Sequence, residues 1–447
     1  MIKKILYRSL VVTAVILCEL SFKKCRQTEK ISMFRNDLQH SGIYQTTPAS
    51  DSIKLKWKFK TGGYVFSSPA VSGNIVFFGS NDSCFYAVDK ASGSLVWKFR
   101  TGGVVSSSPA ITDGAVYFLS FDGYIYALNA LDGKEIWKFS GGEEKVFTAQ
   151  GIHGIHPLDS LLPDPWDTYL SSPAVYKDKI LFGSGSGQFF CLDKNAGKEI
   201  WSFQTGDVIH SAPAVYDGKV YFGGWDTYLH TLDIETGIEI WKSPTGKDTV
   251  YHNQTGIQSS PMIHDGILYF GCRDSHLYAL DAVTGMLKWR YFNNFSWINN
   301  TPVVMDSIIY YGTSDTHKLI GLHAVTGDSI MAIDLNAYIF SSPVIAGNRL
   351  YIGDFSGTLY SVDYMNHKII WEFRTDGASK DTLHILKESG ELNMDSLMIY
   401  FKDGPTFRNN QKFMKALFSI GSVLSTPAVD NGVVFFGSSD GNLYAVE

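Results

Sequence analysis

The stretch "YALDAVTGMLKW", Tyr278 to Trp289, reads at first like a catalytic signature. An apolar run ends at Asp281, Gly285 follows four residues on, and Trp289 stands four residues beyond that. The chain then says the same thing again and again. "YAVDKASGSLVW" ends at Trp97, "YALNALDGKEIW" at Trp137, "FCLDKNAGKEIW" at Trp201 and "HTLDIETGIEIW" at Trp241. "IGLHAVTGDSIM" ends at Met331 and "YSVDYMNHKIIW" at Trp371. An isolated Trp57 opens the series in "IKLKWKFKTGG", and "GNLYAVE" closes the chain without its tryptophan. A catalytic site does not recur eight times, whereas a joint between stacked units does.

A second marker keeps the same beat. It reads "SSPAV" at Pro69, "SSPAI" at Pro109, "SSPAV" at Pro173, "SAPAV" at Pro213 and "SSPMI" at Pro261. It continues as "NTPVV" at Pro302, "SSPVI" at Pro343 and "STPAV" at Pro427. The basic interval is near 40 residues. Each unit holds four short runs rich in β-branched and aromatic residues, separated by Asp-Gly and similar turn pairs. Helical periodicity between strands is absent, which excludes doubly wound and (β/α)8 folds. Four-stranded units at this spacing predict an all-β, eight-bladed β-propeller of antiparallel blades. The last unit has only three strands, so the strand around Trp57 is expected to complete it and close the ring.

Within the motif, Asp89, Asp193, Asp233, Asp281 and Asp363 are expected to accept hydrogen bonds from turn N–H groups. Gly285 supplies a left-handed position. Trp57, Trp97, Trp137, Trp201, Trp241, Trp289 and Trp371 are expected at the blade joints, with Trp289 buried between two blades. Ala87, Ala127 and Ala279 are small where a ring must approach. The unit ending at Met331 carries His323 in place of the Asp, and the next has His367 in place of the Gly.

These residues resemble the repeat family of pyrroloquinoline-quinone (PQQ) dehydrogenases, whose eight blades carry tryptophan-docking motifs of this Ala-x-Asp-x-x-x-Gly-x-x-x-Trp spacing. The chain is also similar to the non-catalytic lipoprotein scaffold of the bacterial β-barrel assembly machinery. "MFRNDLQHSG", Met33 to Gly42, resembles a segment that precedes the first blade in such proteins. The first resemblance implies a quinone with calcium. The paired adjacent cysteines of that centre are missing here, and no residue matches its calcium-binding carboxylates or catalytic Asp. No cofactor is therefore expected, with PQQ and calcium kept as the alternative.

The remaining features bound the function. The 447 residues carry a formal net charge of −6, without the basic surplus that a nucleic-acid binder needs. "MIKKILYRSLVVTAVILCELSF" has a basic start and a short apolar run, so residues 1–26 read as a signal peptide with a lipoprotein leader at Cys18 as one outcome. Residues 27–52 form an N-terminal extension, and 53–447 one propeller. Cys84, Cys191 and Cys272 lie far apart in strand-like runs and read as buried thiols. Individuality lies in three insertions, at about 143–166, 246–256 and 376–420, all preceding an innermost strand and so expected at one mouth of the channel. The last includes "NNQKFMKALF", expected as an amphipathic helix capped by Asn409 or Asn410.

His153, His156, Asp159, His210 and His252 fall in or near these insertions, beside Asp164 and Asp167, and are the candidate metal or ligand residues. Arg273 and Arg349 are candidates for an anionic ligand, and Trp166, Trp225 and Trp297 for stacking on sugars. No catalytic set recurs at one place. The reading is an exported, monomeric binding scaffold in the periplasm, at the outer membrane or on the cell surface of a bacterium. It would engage an envelope protein partner and touch membrane only through its N-terminus. A quinone- or metal-dependent enzyme at the channel mouth and a polysaccharide or small-ligand sensor are the alternatives.

Overall fold

A computed structural model describes residues 31–447. The signal-peptide reading and Cys18 lie outside the described residues. Eight four-stranded antiparallel sheets follow one another round a ring. The fifth blade is typical: Met262–His264, Ile267–Gly271, His276–Asp281 and Leu287–Phe292, paired in chain order from the channel outward. Innermost strands are only three residues long, because the proline just before each one lacks an N–H for the ladder. Tight turns at Asp113-Gly114, Asp217-Gly218 and Asp265-Gly266 have both residues at positive φ, the geometry that matches strand twist in a hairpin.

Ring closure is non-covalent. Leu55–Lys60 is the outer strand of the last blade and pairs with Asn442–Val446 at the end of the chain. Ala428–Asp430 and Val433–Gly437 complete that sheet. Leaving either end free would expose a strand edge, so the overlap also removes an edge.

The repeated motif is a plug and a socket. Ala279 faces Trp289 across the outer pair of strands, and the register shifts just beyond it. The Trp289 indole N–H reaches forward to the Ala324 carbonyl of the next blade at 3.0 Å. Gly285 in turn receives Trp241 from the blade before. The same forward bond joins Trp57 to Lys90, Trp97 to Ala130, Trp137 to Lys194, Trp201 to Ile234, Trp241 to Val283 and Trp371 to Ser50. Trp57, Trp97 and Trp371 are buried. Trp289 is half-buried rather than buried, because it sits on the outermost strand where one edge of the joint meets solvent. The Asp281 carboxylate accepts from the N–H groups of Val283 and Thr284 and from the Thr284 hydroxyl. Asp89, Asp193, Asp233 and Asp363 make the equivalent turn bonds.

The serines of the second marker line the channel and link neighbouring blades. The Ser67 hydroxyl donates to the Ser107 carbonyl at 2.8 Å, Ser171 to Ser211 at 2.9 Å, and Ser341 to Ser425 at 2.8 Å. Cys84, Cys191 and Cys272 are buried free thiols, and burial pushes the Cys191 thiol up to about 12.

Residues 31–47 cross the channel as a plug. Ser32 bridges to Ile111, Leu38 accepts from Val215, Gln39 from Ile263 and Gly42 from Ile345, so the segment touches four blades in turn. Ile43–Tyr44 then adds a parallel strand to the seventh blade. Arg35 is buried at the centre and donates to the carbonyls of Pro302, Pro343 and His40 at 2.7–3.0 Å. The His40 ring bonds the Pro261 carbonyl at 2.8 Å. The extension is thus part of the propeller's core.

Candidate functional site

In an antiparallel four-stranded blade, every connection from an outer strand to the next innermost strand emerges on one face. Residues 141–173, 245–261 and 375–427 are such connections, and they interlock over the channel mouth. The His153 N–H donates to the Tyr251 carbonyl at 2.7 Å, and the His156 N–H to Pro405 at 2.7 Å. The Tyr169 hydroxyl donates to the Leu424 carbonyl at 3.1 Å, and Trp166 meets Phe413 at a ring separation of 6.3 Å.

Local chemistry shapes each connection. In the first, Thr148–Gln150 pairs with Leu161–Pro163. Gly151, His153 and Gly154 between them all take left-handed backbone conformations. In the second, the Asp248 carboxylate accepts from the N–H groups of Val250, Tyr251 and Asn253 and folds the tip back on itself. In the third, a helix spans Phe407–Ser419 and buries Phe413, Met414 and Leu417. It begins two residues earlier than "NNQKFMKALF" suggested. Its cap is Thr406, whose hydroxyl accepts from the Asn409 N–H at 3.2 Å, because the backbone is extended there and already helical at Asn409.

A buried polar cluster fastens the first connection to the ring. Arg273 is fully buried with its guanidinium between two indoles, 4.5 Å from the Trp225 ring centre and 4.4 Å from that of Trp297. It pairs with Asp164 Oδ2 and donates to Gln258 Oε1 at 3.0 Å. Asp164 Oδ1 meets His153 Nε2 at 2.9 Å, and the other His153 nitrogen meets Asn253. Burial alone would raise the Asp164 carboxyl; Arg273 and His153 outweigh it and hold the group well below the usual carboxylate range. A second cluster holds His210, whose Nδ1 lies 2.7 Å from Asp167 Oδ1 while Nε2 stands 3.6 Å from Glu144 Oε1. Burial would lower the imidazole pKa, but the two carboxylates bring it up to about 10.

The sequence-derived candidates therefore separate. His153 serves Asp164, and His210 serves Asp167 beside the channel. His252 packs edge-on against Phe147, and its burial lowers its pKa. His156 and Asp159 are exposed on the outer side of the first connection. Among the described residues, no group of three or more His, Cys, Asp or Glu stands together to hold a metal ion. His153 and His156 line one shallow cavity with Tyr251 and Asn253, whereas His210 and His252 have other neighbours, so the five candidates do not converge on one point. Arg273 is consumed by internal partners. Arg349 lies toward the opposite rim, paired with Asp51 at 2.7 Å and Asp363 at 3.5 Å, so neither arginine is open to an anion. Trp225 is buried against Phe147, stacked at 4.4 Å.

Trp166 and Trp297 instead line a cavity of ≈ 390 Å³ with Tyr338, Phe340 and Phe295. Polar groups of His153, Asn253, Gln254, Ser314 and Asp315 complete its wall. Tyr338, Phe340 and Asp315 were not foreseen. The rings come from three different blades and connections, and no spacing in the chain announces that they meet.

The channel itself is closed. Phe34 of the plug stands at one end and Tyr169, Leu170 and Leu424 at the other, leaving a cavity of ≈ 50 Å³ lined by serine and threonine side chains together with His210, Gln258 and Asn299. Pockets that hold a cofactor-sized molecule run to roughly 300–1,000 Å³, so the axial residues do not fit a tricyclic quinone.

Comparison with known proteins follows this geometry. The family model described as outer membrane protein assembly factor BamB matches residues 45–154 and 164–295, more than half of the chain. No curated protein matches. Among solved structures, BamB from Moraxella catarrhalis is 17% identical, with a TM-score of 0.62 over 89% of this chain and 98% of that one. A europium-containing methanol dehydrogenase is 14% identical with a TM-score of 0.64, covering 93% of this chain and 98% of that one. The quinohemoprotein alcohol dehydrogenase from Comamonas testosteroni is 12% identical with a TM-score of 0.66, covering 95% and 82%. At these identities the structures speak for the eight-bladed fold alone. The family match goes further, and the chain belongs to the PQQ-like repeat family described by outer membrane protein assembly factor BamB.

Proposed function

We propose that this chain is an exported, non-catalytic scaffold of the bacterial cell envelope that docks a protein partner on the face built by its three insertions. The family supports a binding role at the envelope, and the basic-then-apolar start of the sequence supports export. Among the described residues no helix is long and apolar enough to cross a membrane.

The observation that carries the reading is the apolar surface of the insertions. Leu161 is 69% exposed, Val250 62%, Met398 51% and Ile399 52%, with Leu158 and Tyr251 also open. Large apolar side chains grouped on connections that touch one another mark an interaction surface rather than scattered surface residues. The small axial cavity and the separated histidines give the quinone and metal readings no comparable support.

The test is capture from envelope extract by the immobilised chain, compared with a Val250→Asp, Met398→Asp, Ile399→Asp variant. All three positions are exposed, so the fold should survive, as checked by circular dichroism. A specific envelope protein held by the parent and lost by the variant is the expected result. Equal capture by both, or none by the parent, would overturn the reading.

A further inference from the structure

We propose that the aromatic-walled cavity between the first insertion and blades five to seven binds a neutral saccharide. This is separate from protein docking and does not depend on it. Three features of the cavity select that chemistry.

The first is shape. Its ≈ 390 Å³ is within the usual range for a small-molecule site. Trp166 stands nearly perpendicular to Trp297 at 83° and to Tyr338 at 82°. Rings set at right angles give a sugar one wall for its C–H face and another for its edge.

The second is charge. Among the described residues, Asp315 is the only carboxylate on the wall, and the one group there that can carry positive charge is His153, which already faces Asp164. An anionic ligand would meet a carboxylate and no free cation. A cationic ligand would seek the indole faces, but Arg273 already holds one face of Trp297. A second cation on that ring would meet an occupied quadrupole and the guanidinium charge behind it. A polar neutral molecule suffers neither penalty.

The third is preorganisation. The backbone N–H of Trp297 donates to the Ser314 hydroxyl at 2.8 Å, and that of Trp166 to Asp164 Oδ1 at 2.8 Å, which fixes the main chain that carries the two rings. Ser314 in turn donates to Asp315 Oδ2 at 2.5 Å, which turns the carboxylate's other oxygen free for ligand hydroxyls. The rings themselves are held by packing, Trp297 against the Arg273 guanidinium and Trp166 against Phe340 and Phe413, so less ordering is lost when a ligand enters.

The experiment titrates the purified chain with maltotetraose, cellotetraose and tetra-N-acetylchitotetraose, followed by tryptophan fluorescence and saturation-transfer NMR. At least one should bind saturably, with a Kd of roughly 1 mM or tighter. Asp315→Ala and Phe295→Ala alter exposed positions that the fold does not need, and each should weaken that binding about tenfold. The envelope-capture phenotype of these two variants should be unchanged, which separates this site from the docking face. Absence of saturable binding by all three sugars would overturn the proposal. So would binding that both variants leave intact, or binding of tetramethylammonium at the site with no sugar binding.

Discussion

Trp241 lies so close over Gly285 that a Cβ on the glycine would stand 2.6 Å from the indole Cδ2. Gly285 also has a φ of +71°, so two demands fall on one position: left-handed backbone and a flat surface for a neighbour's ring. Gly266 supplies a control, with a φ of +73° and nothing within 4 Å of the same notional Cβ.

Gly285→Ala should therefore lose more stability than Gly266→Ala. The backbone share of the cost is about 1 kcal/mol in both, and the displaced tryptophan should add about 1–3 kcal/mol at Gly285 alone. Urea midpoints of the two variants measured side by side check this. Equal losses would mean that the indole shifts without cost and that the joint does not depend on close seating.

Arg35 is the pin of the channel plug. Arg35→Met keeps most of the volume but strips three buried carbonyls of their donor, at a cost of about 3 kcal/mol or more. The expected signature is local. Amides of residues 33–43 should lose hydrogen-exchange protection, while those of the closing strand Leu55–Lys60 keep theirs. Loss of protection in both would show that plug and closure unfold as one unit.

The different fates of Trp289 and Arg35 show what a single sequence makes legible. Trp289 belongs to a pattern repeated round the ring, so its role follows from counting, and the blade number and strand closure follow with it. Arg35 occurs once. Its three acceptors lie on distant blades or across its own turn, and only a family resemblance marked its segment. The Asp122 clip was missed for another reason: it accepts from the Gly102 N–H and the Tyr126 hydroxyl and recurs at Asp82 and Asp274, yet its partners straddle two units. The insertions were visible as breaks in the period, and Trp166 and Trp297 as candidates for sugars. Their convergence with Tyr338 was not, because contacts between unrelated connections leave no periodic trace.

Two buried histidines should bend the pH–stability curve in opposite directions. His210 keeps its proton in the fold up to about pH 10 but would lose it near 6.5 when unfolded. Its contribution is fully present below about pH 6.5 and falls away as pH rises to 10, by at most about 1.4 kcal/mol per unit. His40 is the reverse: burial, with Arg35 adding to it, brings its pKa down to about 4. Its contribution is present above about pH 6.5 and is lost as pH falls through 4. Asp354, raised by burial to about 6, opposes His40 between about pH 4 and 6, so difference curves are needed. Subtracting the curve of His210→Gln should remove only the alkaline slope, and that of His40→Gln only the acid one. A His210→Gln curve with the parent's alkaline slope would mean that the imidazole is not charged in the fold.

The pair of Asp164 and Arg273 tests how the first insertion is held. Both side chains are fully buried, so removing one charge leaves the other without compensation in a dry site. Asp164→Asn should cost about 3–5 kcal/mol and release residues 141–173 to protease before the ring unfolds. Arg273→Met with Asp164→Asn removes both charges together and keeps an apolar chain between Trp225 and Trp297. The double variant should recover more than half of the single variant's loss, since no buried charge is then stranded. Chemical denaturation of the singles and the double gives the coupling directly. A double variant as unstable as the sum of its parts would show that the two residues act independently, and that the indole sandwich rather than the ion pair anchors the insertion.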